Sequence, residues 1–159
     1  MDTGSAARAN GDPTMNAAAA RTAPPRSSPK SIDDDLRAKA KSLLEQFVNQ
    51  FGGVGVWGAV ISTVDGFDVA MASMPEAEGT KLSAMASSIS AIGDMAVQEV
   101  GTGKYHQCIT IEGADGYIFI LNISCSAGPM ILSIAASKEA MLGKLMYYAR
   151  QVVEKMTKA

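Results

Sequence analysis

Cysteine, histidine, aromatics and net charge are all scarce in this 159-residue chain, and each scarcity removes a class of protein. Its two cysteines, Cys108 and Cys125, lie 17 positions apart, outside any Cys-x-x-Cys or Cys/His cluster. That excludes a disulfide scaffold and a zinc site, and makes a reduced, cytoplasmic location the expectation. Lysine and arginine number 14 against 16 acids, for a formal charge of −2. A nucleic-acid binder concentrates an excess of positive charge, so no nucleic-acid partner is expected. No apolar run reaches the roughly 18–20 residues that would span a bilayer, so no membrane insertion is expected either. Aromatics make up 6% while methionine reaches 10 residues, so soft side chains must fill much of the core.

Hydrophobic residues amount to 47%, enough for one ordinary domain. They are unevenly placed. Residues 1–30 hold four of the six prolines (Pro13, Pro24, Pro25, Pro29) and almost no large apolar side chain. Such a segment cannot offset the entropy of ordering, which predicts a disordered tail followed by a folded domain over 31–159. The tail carries Arg8, Arg21, Arg26 and Lys30 against Asp2 and Asp12, a net +2. Ala17 to Ala20 is too short for a signal-peptide core, and the prolines and glycines spoil the amphipathic helix of a transit peptide. A flexible tether, a partner-binding tail and a functionless extension remain as readings.

From Ser31 the pattern turns regular. Ser31 is placed to cap a helix whose first turn holds Asp33, Asp34 and Asp35. Ile32, Leu36, Ala40, Leu43, Leu44, Phe47, Val48 and Phe51 recur at helical spacing until Gly52 and Gly53. Val54–Thr63 and Phe67–Ala72 read as two strands joined at Asp65-Gly66, the preferred two-residue hairpin turn. A helix follows over Glu78–Val100, ended by Gly101. Strands are then predicted at Lys104–Glu112, Tyr117–Ile123 and Met130–Ala136, and a last helix at Lys138–Lys158. The fold class is α+β, in the order α-β-β-α-β-β-β-α. Tyr117–Ile123 is apolar on both faces, which places it inside a sheet with layers above and below. The simplest architecture is a five-stranded antiparallel sheet between helices, with the terminal helices on one face and the middle helix on the other. The second and third strands would be its edges.

The middle helix carries no charge between Lys81 and Asp94. Leu82, Met85, Ala86, Ile89, Ile92 and Ala96 form a stripe that can face the sheet. The opposite side, Ala84, Ser87, Ser88, Ala91 and Met95, is small and uncharged. A solvated helix face is normally charged, so this one is expected to pack against another helix. The third strand, containing Cys108, Ile109 and Ile111, adds an edge open to pairing. Together these predict an isologous homodimer through Ala84, Ser88, Ala91 and Met95, with Tyr105, Gln107 and Ile109 on the joined edge strands. Lys81, Gln98 and Glu99, flanking the same helix, are the candidate contacts for a further partner. A monomer with a serine-rich surface helix is the alternative.

Several motifs look chemical without the context their chemistry needs. Gly53-Val54-Gly55-Val56-Trp57-Gly58 matches GxGxxG but follows a helix and opens a strand, the reverse of a dinucleotide site. Gly101-Thr102-Gly103-Lys104 lacks the first glycine and the hydroxyl residue of a phosphate loop. His106 and Cys108 would share one face of a strand, without a third orienting group. Asn122-Ile123-Ser124 matches a glycosylation sequon on a buried strand. No catalytic, cofactor-binding or metal-ligating residues are predicted, and no cofactor.

The run from Val56 to Thr157 resembles the roadblock (dynein light chain) domain family, and is similar there to bacterial MglB-type regulators of Ras-like GTPases. The stretches that carry the resemblance are Gly58-Ala59-Val60-Ile61-Ser62 leading to Asp65-Gly66-Phe67, and the small-residue helix Leu82–Gly93. Gly116-Tyr117-Ile118-Phe119 and Leu142-Gly143-Lys144-Leu145 complete the order. The resemblance implies a profilin- or longin-like layered fold and a cytoplasmic, non-catalytic homodimer that binds and regulates a small Ras-like GTPase. It implies that such a dimer can activate GTP hydrolysis by reshaping the partner's own site. Arg37 and Arg150, the only arginines of the expected domain, sit mid-helix, where an arginine finger would not reach a γ-phosphate. A structural scaffold subunit of a larger complex is the alternative function, and a small-ligand sensor a distant third.

Overall fold

A computed structural model describes residues 32–51 and 53–159. The proposed tail lies outside the described residues, and so does Ser31. Helix α1 (Asp34–Asn49) is capped instead by Asp33, whose carboxylate accepts the Leu36 N–H at 2.7 Å. The acids Asp34 and Asp35 then occupy the positive end of the helix dipole. Strands β1 (Val56–Thr63) and β2 (Asp68–Ala72) follow, then helix α2 (Glu76–Val100). Strands β3 (Cys108–Glu112), β4 (Gly116–Cys125) and β5 (Gly128–Ser137) lead to helix α3 (Leu142–Thr157). The predicted order of elements is the observed one.

The β1–β2 turn is one residue longer than expected. Thr63 N–H donates to the Phe67 carbonyl at 2.9 Å, and Gly66 N–H donates to the Thr63 carbonyl at 3.0 Å. The loop is therefore Val64-Asp65-Gly66, with Gly66 at φ +84°, a left-handed position glycine occupies without strain.

The sheet is antiparallel in the order β2-β1-β5-β4-β3, so β2 and β3 are its edges. Helices α1 and α3 cover one face. Their apolar stripes meet Ile61, Phe119, Leu121, Leu132 and Ile134 in a continuous core that includes Leu44, Leu145 and Met156. Helix α3 begins four residues later than expected, because Ala140 N–H turns back to the Ser137 carbonyl. In that turn Lys138 pairs with Glu112 and lies 4.2 Å from the Tyr117 ring centre. The hydrogen bond to Glu112 raises the Lys138 pKa above the usual lysine value, against the opposing effect of desolvation.

Helix α2 crosses the other face on only part of the stripe the sequence suggested: Leu82 and Ala86 are buried and Ile89 half-buried there. Gly79, Leu82, Ser83, Ala86 and Ser90 are the buried positions, whereas Met85, Ile92 and Ala96 are exposed. The reason is close approach. A Cβ at Gly93 would stand 2.5 Å from Ile109 Cδ1, and one at Gly79 would stand 3.0 Å from the Met71 thioether. Gly79, Ser83, Ala86, Ser90 and Gly93 let the helix lie near the sheet, with Leu82 the one large side chain fully buried there, while Met85, Ile92 and Met95 are turned out. The core beneath it is small: Ala86, Ile120 and Ile131, with Ile89, Ile109 and Ile118 half-buried around them.

Candidate protein-interaction surface

The outer side of α2 is an apolar surface that nothing among the described residues covers. Met85, Ile92 and Met95 are 53%, 65% and 67% exposed. Ala84, Ser88 and Ala91, three of the predicted interface residues, are exposed between them. Ser87 is half-buried, because its hydroxyl donates to the Val64 carbonyl and ties the helix to the β1–β2 turn. The sequence therefore located the uncharged face but understated it, assigning Met85 and Ile92 to the sheet. Scattered exposed apolar residues are ordinary; three large ones among alanines on one helix face make a contiguous patch.

Beside it runs the bare edge of the sheet. β3 is five residues long, shorter than the expected Lys104–Glu112. Of the predicted edge residues, Ile109 lies in the strand but packs beneath Gly93 of α2. Tyr105 and Gln107 precede the strand and are exposed. What pulls them out of the ladder is a buried polar cluster. Asp94 of α2 accepts from both His106 N–H (2.8 Å) and His106 Nδ1 (2.7 Å). Asn122 of β4 donates to the His106 carbonyl at 2.8 Å, and its own carbonyl oxygen accepts from Ser90 at 3.2 Å. With its N–H and C=O occupied, residue 106 cannot join the ladder to β4. Sequence spacing gave no sign of this cluster, whose hydrogen-bonded partners lie 12 to 32 positions apart. The lone histidine and the lone acid ending an uncharged run were the only available signals.

The cluster also separates His106 from Cys108, contrary to the expected shared face. Cys108 packs against the α1/α3 core, while His106 is held toward α2, because the strand alternation on which that expectation rested begins only at Cys108. Lys81, Gln98 and Glu99 are exposed, as candidate contacts must be, although Gln98 Nε2 is engaged by the Lys104 carbonyl at 2.8 Å. The opposite edge, β2, is guarded. Arg37 donates to the carbonyls of Asp68 and Val69, both at 3.3 Å, and Thr80 donates to the Asp68 carboxylate at 2.6 Å. Arg37 is therefore committed to the fold. Among the described residues no group of three or more His, Cys, Asp or Glu could hold a metal ion. Likewise, no helix among them is long and apolar enough to cross a membrane.

Comparison with known proteins places this geometry in context. A roadblock/LC7 domain from Streptomyces avermitilis has a TM-score of 0.64 at 21% identity, covering 72% of this chain and 92% of that one. Myxococcus xanthus MglB has a TM-score of 0.69 at 12% identity, covering 79% and 90% respectively. The gliding protein MglB of Thermus thermophilus has a TM-score of 0.67 at 16% identity, covering 80% and 92%. At these identities the likeness is one of fold. No curated protein sequence matches the chain. The family model for the Roadblock/LC7 domain matches residues 43–133, from the second half of α1 into β5. With the α-β-β-α-β-β-β-α order and an open five-stranded sheet already in place, the chain belongs to the Roadblock/LC7 domain family.

Proposed function

We propose that this chain is a non-catalytic, cytoplasmic homodimeric module that binds and regulates a small Ras-like GTPase. The observation that carries the reading is the uncovered apolar face of α2 beside an unguarded β3 edge. In the dimer, Ala84, Met85, Ser88, Ala91, Ile92 and Met95 of two α2 helices pack together near a two-fold axis. The Cys108–Glu112 edges join antiparallel, extending one sheet into the other. Tyr105 and Gln107 flank that junction. Lys81, just before the uncharged run, and Glu99, five residues beyond the Asp94 that ends it, remain at the rim for the GTPase. Membership of the Roadblock/LC7 family and the fold-level likeness to MglB support a regulatory role, and the two arginines among the described residues support regulation without an inserted arginine. Arg37 is bound to β2, and Arg150 lies on α3, on the far side of the sheet.

The test is GTP turnover. Each Ras-like GTPase of the source organism, loaded with GTP, is mixed with the full chain, and binding and hydrolysis rate are followed together. Binding to one of them with an altered hydrolysis rate is expected. No binding and no rate change across the set would remove the regulatory role. A stoichiometric native complex without any GTPase would favour a scaffold.

A further inference from the structure

We propose that the Asn122–Cys125 end of β4 is a docking site for a short extended segment of a partner protein. The segment adds as a strand and sets an acidic side chain against Arg150. β4 pairs with β5 over its whole length, from Gly116 to Cys125, but with β3 only from Tyr117 to Leu121. The chain before β3 is drawn away by the contacts of His106 with Asp94 and Asn122. Ile123, Ser124 and Cys125 are thus left with one edge on which no backbone partner stands among the described residues. Such an edge is a template for an added strand, and main-chain hydrogen bonding gives the affinity.

The space around this edge has the shape an added strand needs. Two hollows share Tyr105, Asn122 and Ser124, and they open on opposite faces of the sheet. The one toward α2 measures about 350 Å³, and the one toward α3 about 260 Å³. Successive side chains of a strand point to opposite faces, so an added segment fills both hollows in alternation. Their chemistry differs. Val64, Pro129 and the Tyr105 ring make the first largely apolar, and its one acid, Asp94, is already engaged by His106. The second is bounded by Leu121, Val153, Gln107 and the Arg150 guanidinium, which is exposed and has no ion pair among the described residues. Apolar and acidic side chains in alternation therefore fit, over the three or four residues the edge can pair. The strand pairing of the proposed dimer uses Cys108–Glu112 rather than this edge, and Tyr105 and Gln107 border both that junction and the hollows.

The probe is the capped peptide Val-Glu-Val-Glu-Val, titrated into the ¹⁵N-labelled full chain and followed by amide shifts. Saturable shifts at residues 122–125 are expected. Arg150→Glu, an exposed change on α3, should weaken binding about tenfold, the cost of one charge-assisted hydrogen bond. The same change should favour Val-Lys-Val-Lys-Val. Peptides N-methylated either on both glutamates or on all valines distinguish backbone pairing, since only one set of amides can face β4. One of the two should lose binding. Unmoved amides at 122–125, equal binding of the lysine peptide, or full binding by both methylated peptides would overturn the proposal. So would edge amides already protected from exchange in the free full chain, which would assign the edge to residues 1–31 or to a second copy.

Discussion

The two faces of the sheet differ in how much of their burial the chain can supply alone. On one, α1 and α3 lay side by side enclose Leu44, Ile61, Leu132, Ile134, Leu145 and Met156, all essentially inaccessible to water. On the other, a single helix approaches through glycine, serine and alanine and encloses Ala86, Ile120 and Ile131. The apolar mass of that helix points outward. A fold that placed its larger side chains at the sheet would bury more area per molecule. This one gives up that burial and leaves a surface another protein can cover. The edges repeat the contrast. β2 has two carbonyls occupied by Arg37, while β3 carries no equivalent guard among the described residues. In the proposed dimer the guarded edge stays with the monomer and the open one joins its copy.

The comparison can be broken by mutation. The largest effect should come from the thick face. Leu44→Ala or Leu145→Ala should cost about 2–5 kcal/mol in denaturant unfolding, because a fully enclosed leucine leaves a cavity. A loss under about 1 kcal/mol would show that this face is not the stabilising one. Next is Asp94→Ala, which strips His106 N–H and Nδ1 of their acceptor within a buried cluster. About 1–3 kcal/mol should be lost, with hydrogen exchange accelerated over residues 104–109; unchanged protection there would contradict the account of why β3 is short. Ala91→Arg should convert dimer to monomer in light scattering, lowering the unfolding free energy only by the association it removes. It would bring two guanidinium groups together without partners near the symmetry axis. The smallest effect is expected beneath α2. Ser83 and Ser133 hydroxyls are fully buried with no hydrogen-bond partner among the described residues, so Ser83→Ala and Ser133→Ala should be neutral or stabilising by up to about 1 kcal/mol. A clear loss of stability would mean that the hydroxyls are bonded in solution.

The same contrast explains what could be read from the sequence. α1 and α3 were legible because each has a charged face opposite an apolar one, so periodicity alone orients them. The identity of β2 and β3 as edges was legible from the shortness of β2 and from the two-sided apolar run of β4. The orientation of α2 was not. With no charge from Leu82 to Gly93, both faces satisfy the helical period, and what decides between them is side-chain size against Ile109 and Met71, which lie in other elements. The start of β3 was hidden for a similar reason: Asp94 and Asn122 capture residue 106 from outside any local window. The candidate interface was therefore legible as a helix face and an edge. Met85 and Ile92, two of its larger anchors, and the polar cluster bordering it were not.

Multi-angle light scattering of the full chain tests the central claim most directly. At micromolar concentration the account predicts twice the chain mass of 16.5 kDa, falling to one chain mass for Ala91→Arg. A wild-type chain that stays at 16.5 kDa as concentration rises would mean that the methionines and isoleucine of α2 face water, and that no second copy completes this side of the sheet.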